Sequence, residues 1–426
     1  MDCPRLWRRT SARSRHLWAS TTTTPRNNAM LPETGPGGAP LTWLTRYDEV
    51  RDAFKQSTLM QTSYDGAKET IFADVLITLD GAAHVLRRKV EATLFRPDMV
   101  VRLESTVVPL AAARLISAFK SVGEADLVDV SRLVSTGMAA RIVGLDGAET
   151  IEELEGLSGL MAKLHEGVVI EWSTRPYADV LAEVAVARDE YRERFFGPSL
   201  RRRETRLRDG GLPRAGTTDL IELLLVHQEA QAMDAEKILR ESIHYLAASA
   251  HTSATVIVHA CHEIWNWIAA HPENEARLAD PAFMQACMSE TLRLWPPSGW
   301  QFRMAAEAVH LESGRVIHKG ERLGLNLIRA NRDPSVFGAD ADQFDPHRQV
   351  PKHVPSFGLA FGDGEHVCIG KRLAAGAQAP SSAIGILAAI GTALFAAGVK
   401  PHPDLAPKEH AGTARHQYVN YPVVFR

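Results

Sequence analysis

A mainly α-helical fold with a smaller β region is what this sequence predicts, and three observations carry the prediction. Apolar residues recur at helical spacing through most of residues 97–272. Within that stretch Asp234 can cap a helix that meets neither Pro nor Gly before His271, about ten turns at 3.6 residues each. Beyond Pro296 the pattern changes to short apolar runs at 309–311, 316–317 and 322–327, punctuated by Gly314 and Gly320. No internal repeat interrupts this order, and residues 30–426 read as one folding unit.

The first 29 residues stand apart, with Arg5, Arg8, Arg9, Arg13, Arg15 and Arg26, a run of threonines at 21–24, and Asp2 as their one acid. They are expected to form a disordered tail, either an Arg- and Ser-rich transit peptide or sequence upstream of a true start at Met30. Residues 41–45 read as a strand leading into a short helix at 47–54. Loops are expected at 144–147 and 210–216, and the basic run 201–208, broken by Glu204, reads as a solvated helix face. After Cys368 a helical section follows, which Gly376 softens and Pro380 would kink or end. Residues 383–399 are apolar but interrupted by Gly385, Gly391, Thr392 and Gly398, and read as a buried helix. Residues 418–425 read as a terminal strand.

Composition narrows the function classes. The chain has 48 Lys+Arg against 51 Asp+Glu, a net charge of -3, so it lacks the positive excess that phosphate neutralisation by a nucleic-acid binder requires. With 45% hydrophobic residues it can bury a large core. No apolar run reaches the roughly 18 residues of a membrane span, so no membrane anchor is expected. Only 4 cysteines exclude a disulfide scaffold and fit a reducing compartment, which predicts a soluble, cytoplasmic protein. G-x-S-x-G, H-E-x-x-H and P-loop patterns are absent, which removes the common hydrolase and phosphoryl-transfer readings. Cys3 and Cys287 have no partner motif, and the spacing of His259, Cys261 and His262 spreads them over two sides of one helix, which argues against zinc.

Cys368 is different. It lies in a loop with Gly362, Gly364 and Gly370, which let the backbone turn sharply and approach a flat ligand. Clustered backbone N–H groups, and a helix expected to start just after the loop, would favour a thiolate over a thiol. The spacing Phe361, Gly364, Cys368, Gly370 resembles the haem-binding signature of the cytochrome P450 family, and the resemblance extends from about Trp43 to the C-terminus.

That resemblance implies the P450 fold, with haem b between the long central helix and the helix after the cysteine loop. Cys368 would ligate the iron, its thiolate pushing electron density that favours O–O cleavage. Glu290 and Arg293, followed by Pro296 and Pro297, are similar to the family's E-x-x-R helix; Arg348 would complete a buried triad that locks the loop presenting Cys368. His84 and Arg88, Arg303 and His366 match contacts to the haem propionates. Residues 330–334 resemble a meander segment of the family.

In the long helix, Ala248, Ser249, His251 and Thr252 align with the family's oxygen-activating segment. Small side chains at Ala248 and Ser249 leave room for a local bulge, and Thr252 would help bring protons to oxygen; back-bonding to the preceding turn is its alternative role, compatible with the first. His251 replaces the usual acid, and three roles stay open for it: proton relay, substrate contact, or a structural hydrogen bond. Residues 30–40, with Gly35, Pro36, Gly37 and Gly38, depart from the family in being unable to supply its N-terminal helix and hairpin.

By position, the pocket would draw on residues 60–77, the helix around Val168 and Trp172, Ala247 with His251, and Ser298, with Trp300 and Phe302 as aromatic walls or as plain core. The expected activity is monooxygenation of a small, largely apolar molecule, most simply hydroxylation. Electrons would come indirectly from NAD(P)H through a separate ferredoxin or flavodoxin, docking near Arg87, Lys89, Lys371 and Arg372. The alternatives are peroxide-driven oxidation, oxidative coupling or rearrangement on the same haem, and a non-catalytic haem sensor or carrier.

Overall fold

A computed structural model describes residues 33–34, 40–68, 70–170, 173, 175–211, 217–377, 383–409 and 417–426. The basic tail, Trp172 and Pro380 lie outside the described residues.

The long middle is helical as the periodicity indicates. At its centre the helix Leu127–Val143 buries nearly every side chain, because it packs on three neighbours, Val108–Val122, Ile151–Val168 and Thr252–Ala270. Local chemistry sets where these helices begin. Asp126 accepts from the Val128 N–H, and Thr150 with Glu153 forms a reciprocal capping box. Asp234 accepts from the Lys237 N–H at 2.8 Å, so the expected cap is in place. The helix it opens runs as Ala235–Leu246, a π-type turn Ala247–His251, and Thr252–Ala270. The bulge therefore falls on the two small residues expected to allow it.

The β region is a four-stranded sheet in the order Thr42–Leu44, Arg322–Asn326, Trp300–Ala305, Leu59–Gln61, the first pair parallel and the others antiparallel. Its own apolar cluster, including Leu44, Val50, Leu323 and Leu325, is separate from the large helical core. Alternation along Trp300–Ala305 sends successive side chains to opposite faces. Phe302 and Trp300 stand against Trp43, with ring centroids 6.0 and 5.4 Å away, while Arg303 reaches Gln61 Oε1 at 2.7 Å. The terminal segment is two strands instead of one: Tyr418–Asn420 pairs with Lys408–Glu409, and Pro422–Phe425 lies between Glu124–Asp126 and Val399–Pro401.

After the cysteine loop the helix is shorter than expected. Lys371–Ala375 stops at Gly376, whose φ of 79° is left-handed, so glycine ends it before Pro380 is reached. A buried helix follows at Ile386–Ala396. Among the described residues no helix is long and apolar enough to cross a membrane.

Between the helices Gly81–Glu91 and Ala235–Leu246 lies a buried polar network. Arg87 donates to Glu241 at 3.1 Å, Tyr245 Oη to Glu91 at 2.8 Å and the Leu76 N–H to Glu241 at 3.0 Å, and His244 Nδ1 lies 2.7 Å from Glu241. Burial, reinforced by the Glu241 carboxylate, pushes the Glu91 carboxyl well above the ordinary value of 4.5. A raised folded-state pKa means that stability present in acid is lost as pH rises through the folded value. The thermal midpoint should therefore fall from weakly acidic toward alkaline pH. Glu91→Gln, which keeps an acceptor for Tyr245, should flatten that fall; equal slopes for the two proteins in a pH series of melting curves would contradict the assignment.

Candidate functional site

Backbone geometry presents the Cys368 sulfur. The Cys368 N–H donates to the Phe361 carbonyl at 2.9 Å and Val367 N–H to Gly364 at 3.2 Å, closing a tight loop. Arg88 Nη2 donates to the Val367 carbonyl at 2.6 Å and ties this loop to the helix Gly81–Glu91. Gly364 is obligatory in two ways: its φ is 68°, and a Cβ there would lie 2.1 Å from the Phe54 carbonyl oxygen. Gly364→Ala should displace the loop and reduce hemin binding by the refolded protein at least tenfold, about 1.4 kcal/mol, read by Soret titration; wild-type affinity would refute this.

The Cys368 side chain keeps accessible surface, yet protein surrounds it on a wider scale, and burial pushes its thiol pKa up against the pull of the Gly370 N–H, Arg88 and Lys371. The sulfur opens on a recess inside the fold. Phe95 bridges that recess to the long helix. It lies 3.9 Å from the position a Gly370 Cβ would take, and it stacks on Tyr245 at 6.3 Å. One turn beyond Tyr245, Ala248 is exposed although Leu246, Ala247 and Ala250 around it are buried. Its face carries Thr252, whose Oγ1 donates to the Ala248 carbonyl at 2.5 Å.

Cationic and imidazole groups gather at one edge. His84 and His366 rings stand 4.3 Å apart, and His366 Nε2 lies 3.3 Å from Asp80 Oδ1. The Nδ1 atoms of both rings are buried without a hydrogen-bond partner. Burial, then the charges of His366 and Arg88, lowers His84 to about 4. Arg303 is 3% exposed and donates to Gln61 Oε1 and the Phe302 carbonyl, neither of which is charged, and burial lowers it to about 10. Buried donors and a buried cation of this kind suit an anionic ligand edge. Together with a thiol that keeps accessible surface, these residues could hold haem, Cys368 being the residue that would face the iron and His84, Arg88, Arg303 and His366 those that would face the propionates.

The ion-pair triad supports the loop from behind. Arg293 is fully buried and makes a two-pronged contact with Glu290, 2.7 Å at each oxygen; Arg348 Nε donates to Glu290 at 2.9 Å. Arg348 spends its other donors on Phe337, Asp340 and Gln343, and so does not itself reach the cysteine loop as expected. The connection runs through Asn331. Its carbonyl accepts from Arg293 at 2.7 Å and its side chain from the Leu359 N–H at 2.7 Å, and Leu359 in turn accepts from Gly362.

Comparison with known proteins agrees with this geometry. The family model "Cytochrome P450" matches residues 272–376, the stretch from just before the triad helix to the end of the helix after Cys368. The chain belongs to the cytochrome P450 family. It is 27% identical over 341 residues to cyclomarin C epoxidase CymV of Salinispora arenicola, covering 78% of this chain and 79% of that protein. It is 32% identical over 159 residues to the biotin biosynthesis cytochrome P450 of Bacillus subtilis, where the match spans 37% of each chain. The crystal structure of CalO2 superposes with a TM-score of 0.72 at 19% identity, covering 92% of this chain and 93% of that one, which fixes the fold.

The remaining residues of this P450 are placed as follows. Ala247 is 5% exposed in the helical core beside the bare Ala248, and Ser298 Oγ accepts from Gln301 Nε2 at 2.6 Å. Trp300 and Phe302 pack on Trp43, on the strand face opposite Arg303. Arg87 is a correction: it is buried against Glu241, so it offers no charge for docking, whereas Lys89 and Arg372 are exposed. His251 stacks on His165 at 4.0 Å, and its Nε2 lies 3.3 Å from Gln417 Nε2. His165, Gln417 and Asp80 belong to no local motif that would mark them in the sequence, whereas Asn331 lies in the segment 330–334 without its bridging role being legible there. Cys261 is buried and its thiol pushed up to about 12, and among the described residues no group of His, Cys, Asp and Glu is arranged to hold a metal ion.

Proposed function

We propose that this P450 is a haem-thiolate monooxygenase that hydroxylates a small, largely apolar organic molecule, with electrons originating in NAD(P)H and delivered by a separate ferredoxin- or flavodoxin-type donor. The observation that carries this reading is the recessed Cys368 sulfur, linked through Phe95 to a helix whose π-type turn leaves Ala248 bare. Bound haem supplies the activation of dioxygen. The protein's part is to hold and protect: His84, Arg88, Arg303 and His366 would bind the propionates, and Ala247 and Ala250 keep the flanks of the groove apolar. Thr252 holds a proton at Oγ1 on the groove face, parked on the Ala248 carbonyl until it is needed. Exposed Lys89 and Arg372 supply positive charge on the side of the cysteine loop for an acidic electron donor. The relatives named as an epoxidase and as a biotin biosynthesis enzyme favour a biosynthetic oxidation.

A library of small apolar molecules should yield compounds that shift the haem from low to high spin. Hits incubated with NADPH, ferredoxin and its reductase should give oxygenated products, and labelled dioxygen should appear in them. Absence of label in every product would end this reading. His251 in place of an acid favours one other: oxidation driven by hydrogen peroxide. Turnover with peroxide and none with the NADPH chain, unchanged in His251→Asp, would establish it.

A further inference from the structure

We propose that Tyr421 is a redox-active tyrosine, at a site apart from the haem pocket. A one-electron oxidant draws its electron along a series of neighbouring rings, and its phenolic proton passes to His262. The long helix and the C-terminal segment build this site together. His259, His262 and Asn266 recur at spacings of three and four on one face of the helix Thr252–Ala270. Tyr418, which opens the strand Tyr418–Asn420, and Tyr421 just beyond it lie across that face.

Ring spacing gives the electron a continuous path. Tyr421 and Tyr418 have centroids 5.0 Å apart, and Tyr418 and His259 5.3 Å. His259 in turn lies nearly parallel to Trp295, at 5.0 Å and 7°. Tyrosine and tryptophan are the aromatic side chains that give up an electron most readily, and an electron tunnels fastest between rings in contact. His259 is seven residues, or about 10 Å, along the helix from Thr252, so the path extends toward the reactive groove.

Charge and proton acceptors decide where the electron vacancy settles. The Arg332 guanidinium lies over the Trp295 ring at 5.2 Å and opposes positive charge on the indole. Tyr421 is placed the other way. It is 1% exposed, and His262 Nδ1, at 2.9 Å, is the hydrogen-bond partner of its hydroxyl among the described residues. Burial lowers His262 to about 4, so at neutral pH the ring is uncharged and one of its nitrogens is bare. Leaving a buried O–H without an acceptor costs about 1–3 kcal/mol, which makes Nδ1 the bare nitrogen and puts the ring proton on Nε2. Asn266 stands 3.0 Å from Nε2, and its exposed carboxamide can turn its oxygen to that N–H.

The step balances with the oxidant alone. One electron passes from the phenol to the oxidant, the O–H bond breaks, and an N–H bond forms at Nδ1. A neutral phenoxyl then faces an imidazolium that donates back to it. Burial resists loss of the Tyr421 proton, which leaves His262 as the group placed to take it. A reductant reaching half-buried Trp265, 5.7 Å from Tyr421, returns the electron, and the proton goes back with it. Use of the pair as an outlet for oxidising equivalents that miss the substrate rests on the oxygenase reading; the pair itself does not.

The first test bypasses the groove. Ruthenium(III) tris-bipyridine, made by a laser flash beside the holoenzyme, should leave a tyrosyl EPR signal that narrows when tyrosine is ring-deuterated and lasts about tenfold longer than in Tyr421→Phe. His262→Ala should lose the long-lived signal and added imidazole should restore it, which a packing role for the ring would not allow. The ferrous–CO band should be the same in each variant. The second test places the oxidant at the haem: hydrogen peroxide given to the ferric holoenzyme takes two electrons, one from the iron and one from Tyr421, and Tyr418→Leu should lose most of the radical. Equal lifetimes in wild type and Tyr421→Phe, or no rescue by imidazole, would overturn the Tyr421–His262 pair, and an undiminished radical in Tyr418→Leu would overturn the path. Neither test uses NADPH or ferredoxin, so failure here and failure of NADPH-driven oxygenation are separate results.

Discussion

Cys368→Ala will purify, with hemin supplied, as a protein whose ferrous–CO form lacks the red-shifted Soret band of thiolate ligation. The structure gives no substitute ligand: the other described cysteines, Cys261 and Cys287, are buried in the helical core, each with its thiol pushed up to about 12. Cys368 itself is raised by burial, and what opposes this is the Gly370 N–H and the charges of Arg88 and Lys371. Those groups act as a partial counter-charge, and a bound metal cation would complete it. The side chain occupies the mouth of a recess, so alanine removes the ligand with little disturbance of packing, and near-normal thermal stability of the apoprotein should accompany the spectral loss. A mutant that retained the red-shifted band would dismiss Cys368 as ligand, however well the surrounding residues fit.

The second large effect concerns folding. Glu290→Ala should destabilise the protein by about 3–5 kcal/mol, the cost of leaving a buried cation unpaired. Here the loss falls on two cations, since both Arg293 and Arg348 rely on this carboxylate. Arg293 has no route to water, being fully buried, whereas Asp340 remains to Arg348 at 3.0 Å. Arg293→Ala should therefore be at least as damaging as Arg348→Ala. Urea unfolding midpoints and the ratio of haem to protein should drop together, because Asn331 couples the triad to the backbone at Leu359, ahead of Cys368. A Glu290→Ala protein with the wild-type midpoint would show the triad to be dispensable.

What could be read in the sequence was what is local. The E-x-x-R pair is legible because three residues on a helix return to the same face, and the cap at Asp234 because its acceptor is used three residues later. The bulge in the long helix follows from small side chains at adjacent positions. In the sequence Pro380 is the more conspicuous breaker after the cysteine loop, whereas the feature that ends the helix is the left-handed backbone at Gly376. The apolar run 322–327 includes Leu327, but the strand stops at Asn326, whose side chain accepts from the Arg329 N–H at 3.0 Å and starts a helical turn. Gln417 meets His251 across 166 positions and Asp80 meets His366 across 286, and pairings over such distances leave no periodicity to detect.

The strand Trp300–Ala305 makes adjacent residues serve two different clients. Phe302 belongs to the tryptophan-lined side of the sheet, and Arg303, opposite Gln61, to the side proposed for the haem propionates. Gly324 lies opposite Phe302 so closely under Trp43 that a Cβ there would sit 2.5 Å from the indole, which pins the alignment of the strands. Exchange of one amino acid for another along this strand leaves the division intact. Insertion or deletion of a single codon would trade the two faces, turning a benzyl group toward Gln61 and a guanidinium toward the Trp43 ring. Descendants of this gene should thus vary here in spelling but not in length.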